Sequence, residues 1–131
     1  LVAFHAAHYV VEREGIPFVI RTDCHCRELQ HVHGAHGVDC SAFLTAWTPL
    51  GQLTDAVHNA TAQEALRRDL AALHIPLISG VGRDPATGWE ERSLLAVGLP
   101  RATAIELGNR YAQLAIIVAG GGAVPELVLL G

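Results

Sequence analysis

The order of apolar patterns along the chain predicts an α+β fold, a mostly antiparallel sheet of five to seven strands with about three helices packed against it. Three observations carry that prediction. Short runs rich in β-branched and aromatic residues recur along the chain. Glycine-rich turns separate several of them, and two stretches combine apolar residues at helical spacing with a residue suited to start a helix. With 131 residues, 50% of them apolar, the sequence suits one domain over residues 1–131 built around a single core.

Residues 8–12 and 17–22 are short β-rich runs, and Gly15 between them supplies the positive φ of a hairpin turn. The polar, histidine-rich stretch 23–37 follows. Leu29, Val32, His33 and His36 fit one face of a short helix there, which Gly34 and Gly37 weaken by about 1 kcal/mol each relative to alanine. Residues 40–49 read as a buried strand in which Phe43, Thr45 and Trp47 alternate with Ala42, Leu44 and Ala46; Pro49, lacking an N–H, closes it. After a loop through Gly51, Thr54 or Asp55 caps the longest helix, which runs to about Leu73. Ala62, Leu66, Leu70 and Leu73 form its inner face and Arg67, Arg68 and Asp69 its outer one. Asn59 lies two turns before Leu66 and shares the inward face, where a carboxamide needs hydrogen-bond partners.

Residues 76–79 read as a short strand, 80–88 as a long glycine-rich turn and 91–97 as the next strand. Gly80 and Gly82 do not make a phosphate loop, because the lysine and hydroxyl residue of that motif are absent and no helix follows. A wide hairpin loop is the expectation. Pro100 is placed as the first residue of a third helix ending near Ala112, with Ala104, Ile105, Gly108, Tyr111 and Ala112 inward. Thr103, Glu106, Arg110 and Gln113 form the opposite stripe, and Glu106 and Arg110 have the spacing of an ion pair. Residues 114–119 are continuously apolar, as in a central strand, and 124–130 return as the last strand after three glycines.

Composition narrows the function classes. Nine basic residues, all arginine, face thirteen acidic ones, giving a net charge of −4; scattered as they are, they argue against a nucleic-acid surface. No apolar run approaches the roughly 20 residues a membrane span needs. No positively charged leader precedes an apolar segment, so a cytoplasmic location is expected. Three cysteines, an odd number, do not describe a disulfide framework.

Three groups of residues could carry chemistry. Cys24, His25, Cys26, His31, His33, His36 and Cys40 include the ligand types of zinc and copper, and Cys26, His33 and His36 share a helical phase. Their spacing matches no standard structural zinc pattern, and a buried, inert Cys40 is the plainer reading. Asp84, Glu90, Glu91 and Glu126 could supply two carboxyl groups in different environments for general acid–base work, although carboxylates flanking strands are commonly exposed. Trp47 and Trp89 could wall an apolar pocket or anchor the core.

The run from Ala42 to Pro49, Asn59, Pro76 with the stretch from Gly80 to Pro85, then Trp89 to Ser93, Gly98-Leu99, the stretch from Leu107 to Gln113, and Pro125 to Leu129 come in an order that resembles the bacterial domain of unknown function 3293. The resemblance covers about residues 8–130. Thr45, Trp47, Pro49, Asn59, Gly82, Asp84, Trp89, Glu91, Arg110, Gln113 and Glu126 match the family pattern, whereas Thr48 and Leu114 stand where it more usually has asparagine. The histidine and cysteine cluster is outside it. The resemblance implies a small bacterial domain and no particular reaction.

A small-molecule-binding or protein-interaction module is the expected function. Its candidate ligand site gathers Thr45, Trp47, Asn59, Asp84, Glu91, Arg110 and Gln113. Arg110 would pair an anionic group or a site carboxylate, Asn59 and Gln113 would orient a ligand, and Trp47 would supply an apolar wall. No cofactor is required by that reading. The alternatives are a hydrolase or transferase with Asp84 or Glu91 as base, and a zinc- or copper-binding protein using Cys24, Cys26, His33, His36 and Cys40. The expected partner is a small molecule or a protein, with neither nucleic acid nor membrane involved, and a homo-oligomer or partner joined at an exposed sheet edge is a further option.

Overall fold

The structure, a computed structural model, describes residues 7–47 and 55–130. Among them the chain runs β1 (His8–Val11), β2 (Phe18–Ile20), α1 (Arg27–His36), β3 (Ser41–Leu44), α2 (Ala56–Ala72), β4 (Leu77–Arg83), β5 (Glu90–Val97), α3 (Arg101–Arg110), β6 (Ala115–Ala119) and β7 (Pro125–Leu129). The strands form one seven-stranded sheet in the order β2-β1-β4-β5-β3-β6-β7, antiparallel at every pairing. The fold is α+β, as the sequence predicts.

Alternation along the strands sorts the apolar residues into two clusters rather than the single core expected. On one face Phe43, Leu95, Val97, Ile117 and Ala119 pack with Val11, Phe18 and Ile20 beneath Leu29 and Val32 of α1. On the other, Ala42, Leu44, Leu94, Ala96, Ile116 and Val118 meet Leu66 and Leu70 of α2 and Ala104 and Leu107 of α3. Strands covered on both sides carry apolar residues at every position, so their sequences read as continuous runs, and the period of two that would reveal two faces is hidden.

Local chemistry explains several departures from the expected boundaries. Helix α1 forms despite its glycines, because Gly37 is not interior. With φ of 64° it is the left-handed residue that ends the helix, and the N–H groups of Gly37 and Val38 return to Gly34 O and His33 O. His36 is exposed instead of sharing the buried face of Leu29, Val32 and His33. Strand β3 stops at Leu44, before Thr45 and Trp47. There the Thr45 hydroxyl donates to Arg92 O at 2.6 Å and accepts from Trp47 N at 3.0 Å, a side-chain bond that replaces the ladder. Pro49, Gly51 and Thr54 lie outside the described residues.

Asp55 caps α2 by accepting from His58 N at 2.9 Å, while Leu73, expected inward, is the exposed C-cap just past the helix. Strand β4 continues through the segment read as a turn: Gly80 to Arg83 pair with Ser93 to Glu90. Only residues 84–89 turn, closed by Asp84 N to Trp89 O at 2.8 Å and by Asp84 Oδ1 accepting from Ala86 N at 2.9 Å. Pro100 sits at the N-cap of α3, one residue earlier than expected. At the other end Ala112, at φ 55°, reverses the chain, so Gln113 leaves the helix and is buried instead of continuing the exposed stripe.

Candidate functional site

Helix α1 covers only part of its face of the sheet. Beyond it, the ends of β1, β4, β5, β3 and β6 surround a hollow of about 80 Å³, with room for a few water-sized groups. The alternation of each strand decides what reaches it. Tyr9 pairs with Gly82 and Gly82 with Glu91, which puts these three in one row on this face, and Ser93 and Thr45 lie in the next. Ala115, Ile117 and Leu127 supply the apolar side.

Two glycines shape the floor. A Cβ on Gly80 would lie 2.6 Å from the Phe43 ring and 2.7 Å from Val10 O, so that residue has to be glycine for the ring to lie across β4. Phe43 in turn meets Tyr9 edge to face, with centroids 5.7 Å apart. Among the described residues, a Cβ on Gly82 would approach nothing closer than 3.9 Å, at Ser93 Oγ and Tyr9 Cδ1. Its missing side chain leaves space that belongs to the hollow.

The polar rim is held by a set of short bonds. Trp89 Nε1 donates to Glu91 Oε1 at 3.1 Å, and the Ser93 hydroxyl donates to Glu91 O at 3.2 Å. Gln113 Nε2 donates to Trp47 O at 3.0 Å and to Tyr111 O at 3.1 Å. Burial and the neighbouring Glu91 charge push the Tyr9 hydroxyl up to about 12, so it stays a neutral phenol. Arg83 also lines the hollow, but the alternation of β4 directs its side chain to the opposite face, where its Nε donates to Glu90 at 2.8 Å.

Four of the seven expected ligand residues, Thr45, Asp84, Glu91 and Gln113, therefore line one hollow. Trp47 contributes its backbone to the rim through Thr45 and Gln113; its Nε1 is buried without a partner among the described residues. Asn59, 2% exposed, and Arg110 sit on helices of the opposite face and do not line it. Arg110 pairs with Asp69 of α2 at 3.1 Å rather than with Glu106, and the Tyr111 hydroxyl donates to the same Asp69 Oδ2 at 2.6 Å. That pair of donors, the tyrosine foremost, lowers the Asp69 pKa and clamps α3 to α2.

Tyr9, Gly82 and Ser93 are among the lining residues that the expected site lacked. Their signal was the pairing of β1 with β4 and of β4 with β5, and a register between strands so distant in sequence is not written in either one.

The histidines and cysteines do not converge. Among the described residues no three His, Cys, Asp or Glu side chains come together as metal ligands. Cys26 packs in the core and Cys40 Sγ donates to Leu99 O at 3.4 Å; burial raises both thiol pKa values. His33 Nε2 lies 2.7 Å from Ser41 Oγ, while Cys24 and His36 are exposed. Glu126 is likewise engaged elsewhere, with Arg101 at 2.9 Å.

A family model for proteins of unknown function, DUF3293, matches residues 44–116, more than half of the chain. The chain belongs to this family. No curated protein and no solved structure matches it. The DUF3293 segment spans the polar rim from Thr45 to Gln113, whereas Tyr9 and Leu127 reach the hollow from outside it. No helix among the described residues is long and apolar enough to cross a membrane.

Proposed function

We propose that this DUF3293 protein is a small-molecule-binding module whose ligand enters the hollow beside α1. The observation that carries the reading is Gly82. A strand residue on an otherwise packed face lacks a side chain where, among the described residues, nothing but Ser93 and Tyr9 would come near one, and polar groups from three separate segments meet around that space. A glycine in mid-strand costs stability, and an open notch is what that cost leaves here. The carboxylates Asp84 and Glu91 share the same rim, so a hydrolase or transferase would use this space too; binding is the simpler function.

A fragment screen followed by amide chemical shifts tests the proposal. Bound fragments should perturb Tyr9, Thr45, Glu91 and Ala115 together, and the perturbation should vanish in Gly82→Val, which fills the notch with a residue strands favour. Fragments that bind Gly82→Val as they bind the natural chain, or shifts confined to other surfaces, would overturn it.

A further inference from the structure

The hollow's hydrogen-bonding character points to the class of molecule it takes, an inference that rests on its being a ligand site. Most donors on its described lining side chains are already used. The hydroxyls of Thr45 and Ser93 donate to the carbonyls of Arg92 and Glu91, Trp89 Nε1 donates to Glu91, and both N–H bonds of Gln113 go to carbonyl oxygens. Those two carbonyls also fix which end of the Gln113 amide is which, because only an NH₂ group can face them both. The other end, Oε1, accepts nothing from any described residue, although Gln113 is only 8% exposed and lines the hollow. Asp84 is in a similar state, with Oδ1 held by Ala86 N and Oδ2 accepting nothing from the described residues.

Charge runs the same way. Among the described residues Asp84 and Glu91 are the carboxylates of the lining, and the side chain of Arg83, the one cation among them, is turned to the other face and paired with Glu90. Trp89, Tyr9 and Phe43 bring aromatic rings to the same wall. A lining with acceptors to spare, net negative charge and aromatic surface suits a guest that donates hydrogen bonds, carries positive charge and has a small apolar body. We infer that the hollow binds a small organic cation, a primary ammonium or guanidinium group on a compact apolar body, with Gln113 Oε1 and the Asp84 and Glu91 carboxylates receiving its N–H groups.

Benzylamine, benzyl alcohol and benzoate make the test, because they share one ring and differ in charge and donor count. In titrations followed by amide shifts of the whole chain, benzylamine should bind about tenfold more tightly than benzyl alcohol, the worth of one charge-assisted hydrogen bond. Its affinity should fall with added salt while that of the alcohol does not. Glu91→Gln and Asp84→Asn, checked for an unchanged melting temperature, should each bring amine and alcohol closer together. Equal binding of amine and alcohol, or a preference for benzoate, would overturn the cation assignment and leave the hollow a ligand site. Failure of all three probes, together with an empty fragment screen, would overturn both.

Discussion

Four alternate residues of β5 face the same side of the sheet, and their fates divide halfway along the strand. Val97 and Leu95, each 1% exposed, lie in the core beneath α1. Ser93 and Glu91, the next two on that face, line the hollow. Strand, face and hydrogen-bond ladder are the same; only the cover differs. Where α1 lies overhead the face is apolar and filled, and where α1 does not reach, the face turns polar and is notched at Gly82. The lesson is that a sheet longer than its covering helix leaves a surplus of face, and the residue types on that surplus answer to something other than packing.

Substitutions along β5 should expose the difference most strongly. Leu95→Ala is expected to cost about 2–5 kcal/mol in denaturant unfolding, as buried leucine truncations do. Ser93→Ala should cost no more than about 1.5 kcal/mol, the worth of one hydrogen bond. Equal losses would mean that the two halves of the face are packed alike.

The paired glycines of β4 give the next contrast. Gly80→Ala drives a methyl group into the Phe43 ring and Val10 O, and should destabilise by about 1–3 kcal/mol. Gly82→Ala meets open space and should change stability by less than about 1 kcal/mol in either direction. A melting curve for each variant decides the matter, and a severe loss at Gly82 would show the notch to be structural.

Under α1, the buried bond between His33 and Ser41 should make stability depend on pH. Burial lowers the His33 pKa against the opposing Asp39 charge, so the folded state prefers the neutral ring. The unfolded chain takes up the proton first, near 6.5. Stability from this residue is therefore complete above about pH 6.5 and is lost as pH falls below it. Melting temperatures from pH 7.5 to 5 should drop more steeply for the natural chain than for His33→Gln, and Ser41→Ala should cost about 1–3 kcal/mol at neutral pH by leaving the imidazole unpaired.

The smallest expected effects come from the opposite face. Tyr111→Phe should cost about 1 kcal/mol through the lost bond to Asp69, and Arg110→Ala less, since that ion pair is half exposed. Neither change should alter binding in the hollow. A binding defect in Arg110→Ala would restore that residue to the ligand site.

Where the governing interaction is local, the sequence was readable. Gly15 marks the first hairpin at φ 79°, Asp55 marks the start of α2, and the run after the three glycines marks β7. Where a distant residue governs, it was not. Gly80 and Gly82 look like turn glycines until Phe43 and Tyr9 are brought beside them from other strands. Thr45 and Gln113 line the hollow, but the bonds that place them run to Arg92 and Trp47, and Arg110 pairs with Asp69 on another helix. The two faces were illegible for the same reason: a central strand buried on both sides carries no alternation to read.

The position of β3 has a consequence for how the chain assembles. Its four residues pair with β5 on one side and the first three of them with β6 on the other, Ser41 meeting both Val97 and Ala119. Everything that pairs with this strand is thus made long after it. A chain emerging from the ribosome can close the β1–β2 hairpin early, but Ala42-Phe43-Leu44 must wait, unpaired and apolar, until the β5 segment has been synthesised, and one edge of the strand stays open until β6 follows. Folding is therefore governed by the late half of the sequence. A nascent chain arrested before β6 would present an open apolar strand edge, the kind of segment that chaperones hold and that aggregates when they do not.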